Sequence, residues 1–362
     1  MAEQPIPTTD PSQAQAVQIP LQNFTVPTFP PEALAADIKS LTLTSDINLS
    51  EYQDLLSKPF DPIPELPSSI ESLTLELFTL GYPPGFLTLL GQRLPGLKSL
   101  TVYGQLIAGV DDKQGTDAEA FFEEVGRRGG LREAHFIDAF GKKGFWERVG
   151  RHLDQQKPST DGAKKGEGLS LLEVSYTYRH SDEEFLTRIH AADLLSLLHP
   201  SLVAASLNIS PPPPKPQNVD EKVEQEDPEN LDVEGNPLKK RPEGVMVLHP
   251  THTPGLMEKI TEKWGGEEGG LKMLALTLFT LNAGQVGDVL EKHKGLKVLT
   301  LTVGVDKVES WKDSLMQVLG KGNDLEILEV VVSPGLDFYL SVRVASIPPP
   351  RQYALLQMVA PC

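Results

Sequence analysis

GLKVLTLTVG, residues 295–304, recurs in altered form as GLKSLTVYGQ at 96–105 and GLKMLALTLF at 270–279. Each copy sets Leu-x-x-Leu-x-Leu, or Val, just after a glycine. Apolar and polar residues alternate within it, the period-two signal of a strand with one buried face. Aligned on this pattern, the chain holds nine predicted strands. They begin at Ile38 (IKSLTLTS), Ile70 (IESLTLEL), Leu97 (LKSLTVYG), Leu131 (LREAHFID) and Leu169 (LSLLEVSY). The others begin at Leu202 (LVAASLNI), Leu271 (LKMLALTL), Leu296 (LKVLTLTV) and Leu325 (LEILEVVV). Apart from the jump between Leu202 and Leu271, the starts lie 25 to 38 residues apart, a period of stacked repeats. The alternation also assigns faces: Leu73 and Leu75 inward, Thr74 and Glu76 outward.

Helical patterns fill most gaps. PPGFLTLLGQRL (83–94) puts Phe86, Leu89, Leu90 and Leu94 on one stripe. TDAEAFFEEVGRR (116–128) reads as a helix opened by a capping box of Thr116 and Glu119. Ser181 and Glu184 repeat that box before 185–198, and Thr253 with Pro254 reads as a cap before GLMEKITEKW. QVGDVLEKHK (285–294) and SWKDSLMQVLG (310–320) complete the set. Strand, helix and glycine in alternation predict an α/β solenoid, with parallel strands on one face and helices on the other. Three inward apolar residues bring at most ~5–9 kcal/mol of gross burial to a repeat, before the entropy of ordering it. No repeat stands alone, so neighbours must stabilise one another.

Over most of residues 38–333 this pattern resembles the leucine-rich-repeat superfamily, in its longer, irregular form with a helix in each repeat. GQRLPGLKSLTVYG (91–104) is similar to the repeats that follow the F-box in F-box/leucine-rich-repeat proteins. The resemblance implies a non-catalytic scaffold that binds a protein partner through its sheet surface. The family's asparagine or cysteine position departs from the pattern, holding Asp46, Phe78, Gln105, Ala139, Thr177, Ser210, Phe279, Gly304 and Ser333. FPPEALAADI (29–38) is similar to the beginning of an F-box, but the three helices of that module do not fit ahead of the first repeat strand.

A formal net charge of −17 disfavours nucleic acid and anionic membrane surfaces as partners, since both require cationic contacts. The one cysteine, Cys362, leaves no intramolecular disulfide and no multi-cysteine metal site. No secretory leader and no span of ~20 apolar residues is read, so an intracellular location is expected, in the cytoplasm and with the nucleus also open. Residues 1–30 are expected to lack fixed structure, although Ile19, Leu21, Phe24 and Val26 are suited to cap the first repeat. The array then runs over 31–210 and 244–347, interrupted at 211–243 by a proline-rich, acidic insertion expected to be disordered. LDFYLSVRVASI (336–347) reads as edge strands, and 348–362 as a tail.

No phosphate-binding glycine loop and no nucleophile elbow is found, and no cofactor, metal or enzymatic activity is expected. The outward stripe is the place for function. Thr42, Thr74, Thr101, His135, Glu173, Ser206, Ala275, Thr300 and Glu329 form its middle row, followed by Thr44, Glu76, Tyr103, Ile137, Ser175, Asn208, Thr277, Thr302 and Val331. Tyr103, His135, Glu173 and Tyr176 are the candidate partner-binding residues, a polar and aromatic patch in adjacent repeats. Two other readings are a hydrolase or metal enzyme using His135 and Glu173, or His249 and His252, and a structural subunit of an assembly.

Overall fold

The computed structural model describes residues 16–24, 34, 37–45, 48–57, 63–76, 80–108, 112–154, 168–177, 188–210, 253, 255–262, 264, 270–305, 317–320, 324–334 and 356–359. The strands are β1 (Ala16–Pro20), β2 (Ser40–Thr44), β3 (Ser72–Glu76), β4 (Ser99–Leu106), β5 (Glu133–Phe140) and β6 (Leu171–Thr177). They continue as β7 (Ala204–Ser210), β8 (Met273–Leu281), β9 (Val298–Val305), β10 (Ile327–Pro334) and β11 (Leu356–Val359). All eleven lie in one sheet in chain order. The first ten are parallel, and β11 returns antiparallel along β10. The nine strands expected from sequence are β2–β10, each opening two residues after the apolar residue that announces it.

The helices are α1 (Leu49–Leu56), α2 (Phe86–Arg93), α3 (Asp112–Arg128), α4 (Phe145–Asp154), α5 (Ala191–Leu194), α6 (Leu256–Thr261) and α7 (Ala283–Lys292). A 3-10 turn at Leu195–Leu197 extends α5. Inward strand residues such as Leu73, Leu75, Leu100, Val102, Phe136, Val174 and Leu299 share one continuous core with Phe86, Leu90, Phe121, Phe122, Trp146, Val149, Val289 and Leu290 of the helices. One face of the sheet is therefore helix-covered.

Successive helices are tied together by side chains from the next repeat. Asp117 of α3 accepts from the Leu87 and Thr88 backbone N–H groups, each at 3.0 Å, and so caps the N-terminus of α2. Asp193 of α5 accepts from Gly144 N just ahead of α4. At the other end of α2, Arg128 donates to the Gly91 and Gln92 carbonyls. Parallel strands sit ~4.8 Å apart, whereas packed helices need 8–10 Å. Glycine relieves this mismatch. A Cβ on Gly126 would overlap the His152 carbonyl oxygen with its carbon 2.8 Å away, and one on Gly150 would lie 2.6 Å from the Ser196 carbonyl carbon.

Several local expectations are corrected. Residues 16–24, inside the segment expected to lack fixed structure, form β1 and a short 3-10 turn. Ile19, Leu21 and Phe24 are buried there and close the end of the core. Thr116 does not cap α3. That helix begins at Asp112, so Thr116 sits inside it with its hydroxyl bonded to the Asp112 carbonyl. The N-cap of α6 is Gly255 at φ 80, with no side-chain bond, while Thr253 serves through its carbonyl, which accepts from Leu256 N. Among the described residues, Asn282 and Gln285 form a capping box at the start of α7. The proposed box at Ser181 and Glu184, the edge strands at 336–347 and the insertion at 211–243 lie outside the described residues.

Candidate functional site on the outward sheet face

Register carries the outward side chains into rows. Thr42, Thr74, Thr101, His135, Glu173, Ser206, Ala275, Thr300 and Glu329 are successive partners from β2 to β10, so the expected middle row is one row in space. Its upper neighbour runs Thr44, Glu76, Tyr103, Ile137, then Ser175 and Asn208. That row breaks at β8. A bulge between Leu276 and Thr280 pairs Thr302 with Thr280 instead of Thr277. Thr302 is buried, its hydroxyl donating to the Thr277 carbonyl at 3.3 Å, and Thr277 exchanges hydrogen bonds with Asn208 and Ile209 of β7.

His135 and Glu173 face each other across β5 and β6, with His135 Nδ1 2.8 Å from Glu173 Oε2. Both are partly exposed. The hydrogen bond to Glu173 raises the imidazole pKa above its ordinary value, against the opposing effect of burial, with smaller help from the Glu173 and Glu133 charges. The same bond holds the Glu173 carboxyl below its ordinary range. The pair thus favours imidazolium and carboxylate together. Tyr103 lies one strand over and one tier up, 43% exposed and in register with Glu76 and Ile137.

The reverse side of these strands fixes the patch. Phe136, the residue after His135, is fully buried against Trp146, with ring centroids 4.8 Å apart. Phe122 meets Phe136 edge-on at 6.0 Å and Phe145 at 6.3 Å. Packing of this kind holds a strand rigid, so the outward side chains begin from a fixed backbone.

Tyr176 does not belong to the patch. It is three residues from Glu173, an odd offset that turns it to the helix side. There it is fully buried, its hydroxyl donating to the Ala139 carbonyl at 3.1 Å and its ring 5.2 Å from that of Phe140. Burial, with the Asp138 charge, pushes its phenol pKa up. Asp138, at φ 49, accepts from Thr177 N at 2.7 Å, so this end of the β5–β6 seam is closed by side chains. Tyr103, His135 and Glu173 remain together on the face, and Tyr176 supports it from behind.

His249 and His252 fall outside the described residues. Among the described residues no group of three or more His, Cys, Asp or Glu has a metal-holding arrangement, and no helix is long and apolar enough to cross a membrane. The molecule is thus a solenoid-like α/β protein with one helix-covered and one outward sheet face. The chain matches no protein-family model, and no curated protein matches it.

Proposed function

We propose that this chain is a non-catalytic protein-interaction scaffold whose outward sheet face, centred on Tyr103, His135 and Glu173, receives a protein partner. The observation that carries the reading is the placement of an exposed tyrosine beside a cross-strand imidazole–carboxylate pair, on strands locked from behind by Phe136 and Trp146. A rigid aromatic with flanking charged groups is the composition of an interface anchor, because little side-chain freedom is lost on docking. The resemblance of the repeats to leucine-rich-repeat arrays supports the same reading, with the chain working inside the cell.

A photo-crosslinking residue at Thr101 tests this, with a second at Lys292 on α7 as the helix-side comparison. Discrete protein adducts are expected from Thr101, weakened several-fold by Tyr103→Ala, and none of the same species from Lys292. Adducts formed only from Lys292 would overturn the proposal.

One observation favours a second reading, a hydrolase. Thr101, His135 and Glu173 are consecutive in register, the order hydroxyl, imidazole, carboxylate that nucleophilic acyl transfer uses. Turnover of an activated ester that disappears in both Thr101→Val and His135→Gln would favour it over the scaffold; unchanged turnover in both would remove it.

A further inference from the structure

The lowest outward tier changes character along the sheet. In β2–β5 it reads Ser40, Ser72, Ser99 and Glu133. From β6 to β10 the same register position holds Leu171, Ala204, Met273, Val298 and Ile327. Met273 is 38% exposed and Ile327 46%, and the other three are partly exposed. Five adjacent apolar side chains therefore form an unbroken row across the outward face, where a hydrated sheet would carry threonine or charge. At ~4.8 Å per strand the row is ~19 Å long.

The charges on this face are mostly negative. Across the three outward tiers of β2–β10 stand Glu76, Glu133, Glu173 and Glu329, with His135 as the sole basic side chain and no lysine or arginine. Cations do occur on the lip just before the strands, where most are engaged. Glu71 binds Lys39 and Lys98, Glu326 binds Lys297, and Arg132 donates to the Gly168 carbonyl; Lys272 stands among them.

We infer that the outward face takes a cationic amphipathic protein segment, whose apolar side chains lie on the Leu171–Ile327 row and whose lysines or arginines meet the face's glutamates. The inference rests on the scaffold reading and names the chemistry of its partner. A second copy of this chain fits poorly, because it would bring the same glutamates and the same net charge of −17 against the first. Nucleic acid and anionic lipid are repelled for the same reason. A cationic segment has both complementary halves: apolar surface leaves water, and the carboxylates gain partners.

The test uses the full chain and a fluorescent synthetic peptide of about 14 residues with a leucine face and a lysine face, long enough as a helix to span the row. Its counterpart replaces every lysine with glutamate. Binding is followed by anisotropy for wild type, Met273→Lys, Ile327→Lys, Glu133→Lys and, as a helix-side change equal in charge to Glu133→Lys, Glu258→Lys on α6. Circular dichroism checks that each variant is folded. The lysine peptide is expected to bind wild type, to weaken at least tenfold in Met273→Lys and Ile327→Lys and about fivefold in Glu133→Lys, and to change less than twofold in Glu258→Lys.

Equal weakening by Glu258→Lys would reveal general attraction to an acidic protein and would overturn the inference. If the glutamate peptide binds instead, and the face variants alter that binding, the cationic assignment falls while the scaffold reading stands. If neither peptide responds to the face variants, the inference falls; crosslinks from Thr101 then decide the scaffold reading separately.

Discussion

Helix α3 contains its own controlled experiment. Gly115 and Gly126 both lie within it, yet their surroundings differ. A Cβ on Gly115 would meet only the Ala108 carbonyl oxygen, at 3.4 Å, an ordinary contact. On Gly126 the added carbon would fall on the His152 carbonyl of α4, with the carbonyl carbon 2.8 Å away. Alanine is preferred over glycine inside a helix by ~1 kcal/mol, and that term is shared by both sites. At Gly126 it is opposed by overpacking, which costs ~1–3 kcal/mol and lies at the upper end when the obstacle is backbone. Gly115→Ala is therefore expected to stabilise by about 0.5–1 kcal/mol, and Gly126→Ala to destabilise by about 1–2 kcal/mol net. In thermal denaturation the two midpoints should move in opposite directions, by about 2–4 °C per kcal/mol. A Gly126→Ala protein as stable as wild type would refute the idea that neighbouring repeats touch backbone to backbone.

Three further expectations follow from the same contacts. Asp117→Ala strips two backbone donors at the start of α2 of their acceptor and should cost about 1–3 kcal/mol in urea denaturation, with Asp117→Asn recovering part of the loss. Tyr176→Phe should lose about 0.5–1.5 kcal/mol in the same assay and leave peptide binding unchanged, because its hydroxyl serves the Ala139 carbonyl behind the face. In an NMR titration His135 should ionise above the ordinary histidine value of 6.5, and Glu173→Gln should bring it down. Since the histidine's folded pKa is raised and the carboxyl's lowered, the pair's stabilisation is complete between the ordinary carboxylate and histidine values, fades as pH rises through the folded His135 value, and is lost again in acid as pH falls through the lowered Glu173 value; a His135 that titrates below 6.5 would contradict the pairing.

The strands were readable from sequence because a two-residue period has only two phases, and Leu-x-Leu fixes which phase is buried. That logic placed Thr101, His135 and Glu173 in one row, as the register has them. It failed where the count itself changes. The bulge after Leu276 takes Thr277 out of the row and pairs Thr280 with Thr302, and nothing in LALTLFTL marks the extra residues, since Leu276, Leu278 and Leu281 are all buried. Tyr176 suits an interface by residue type alone, whereas its odd offset from Glu173 assigns it to the core, where it is buried. Asp117 and Asp193 were illegible for another reason: each looks like an acid on its own helix, while its function is to cap the preceding one. β1 is hard to read because AVQIP lies in a segment rich in Pro, Gln and Thr, where composition outweighs five residues of pattern. The apolar tier from Leu171 to Ile327 emerges only once the register joins residues far apart in the chain.

Chain-ordered stacking in one open sheet underlies every placement on the face, and electron-spin distances test it directly. With Cys362→Ser removing the native thiol, label pairs are introduced at Ser40 with Leu171 and at Ser40 with Ile327, all on the lowest tier. At ~4.8 Å per strand the pairs span four and eight steps, ~19 and ~38 Å along the sheet before any curvature. The Ser40–Ile327 distance is expected to exceed the Ser40–Leu171 distance clearly. Equal distances, or a shorter one for Ser40–Ile327, would mean that the strands close on themselves or divide into separate sheets, and would contradict the account.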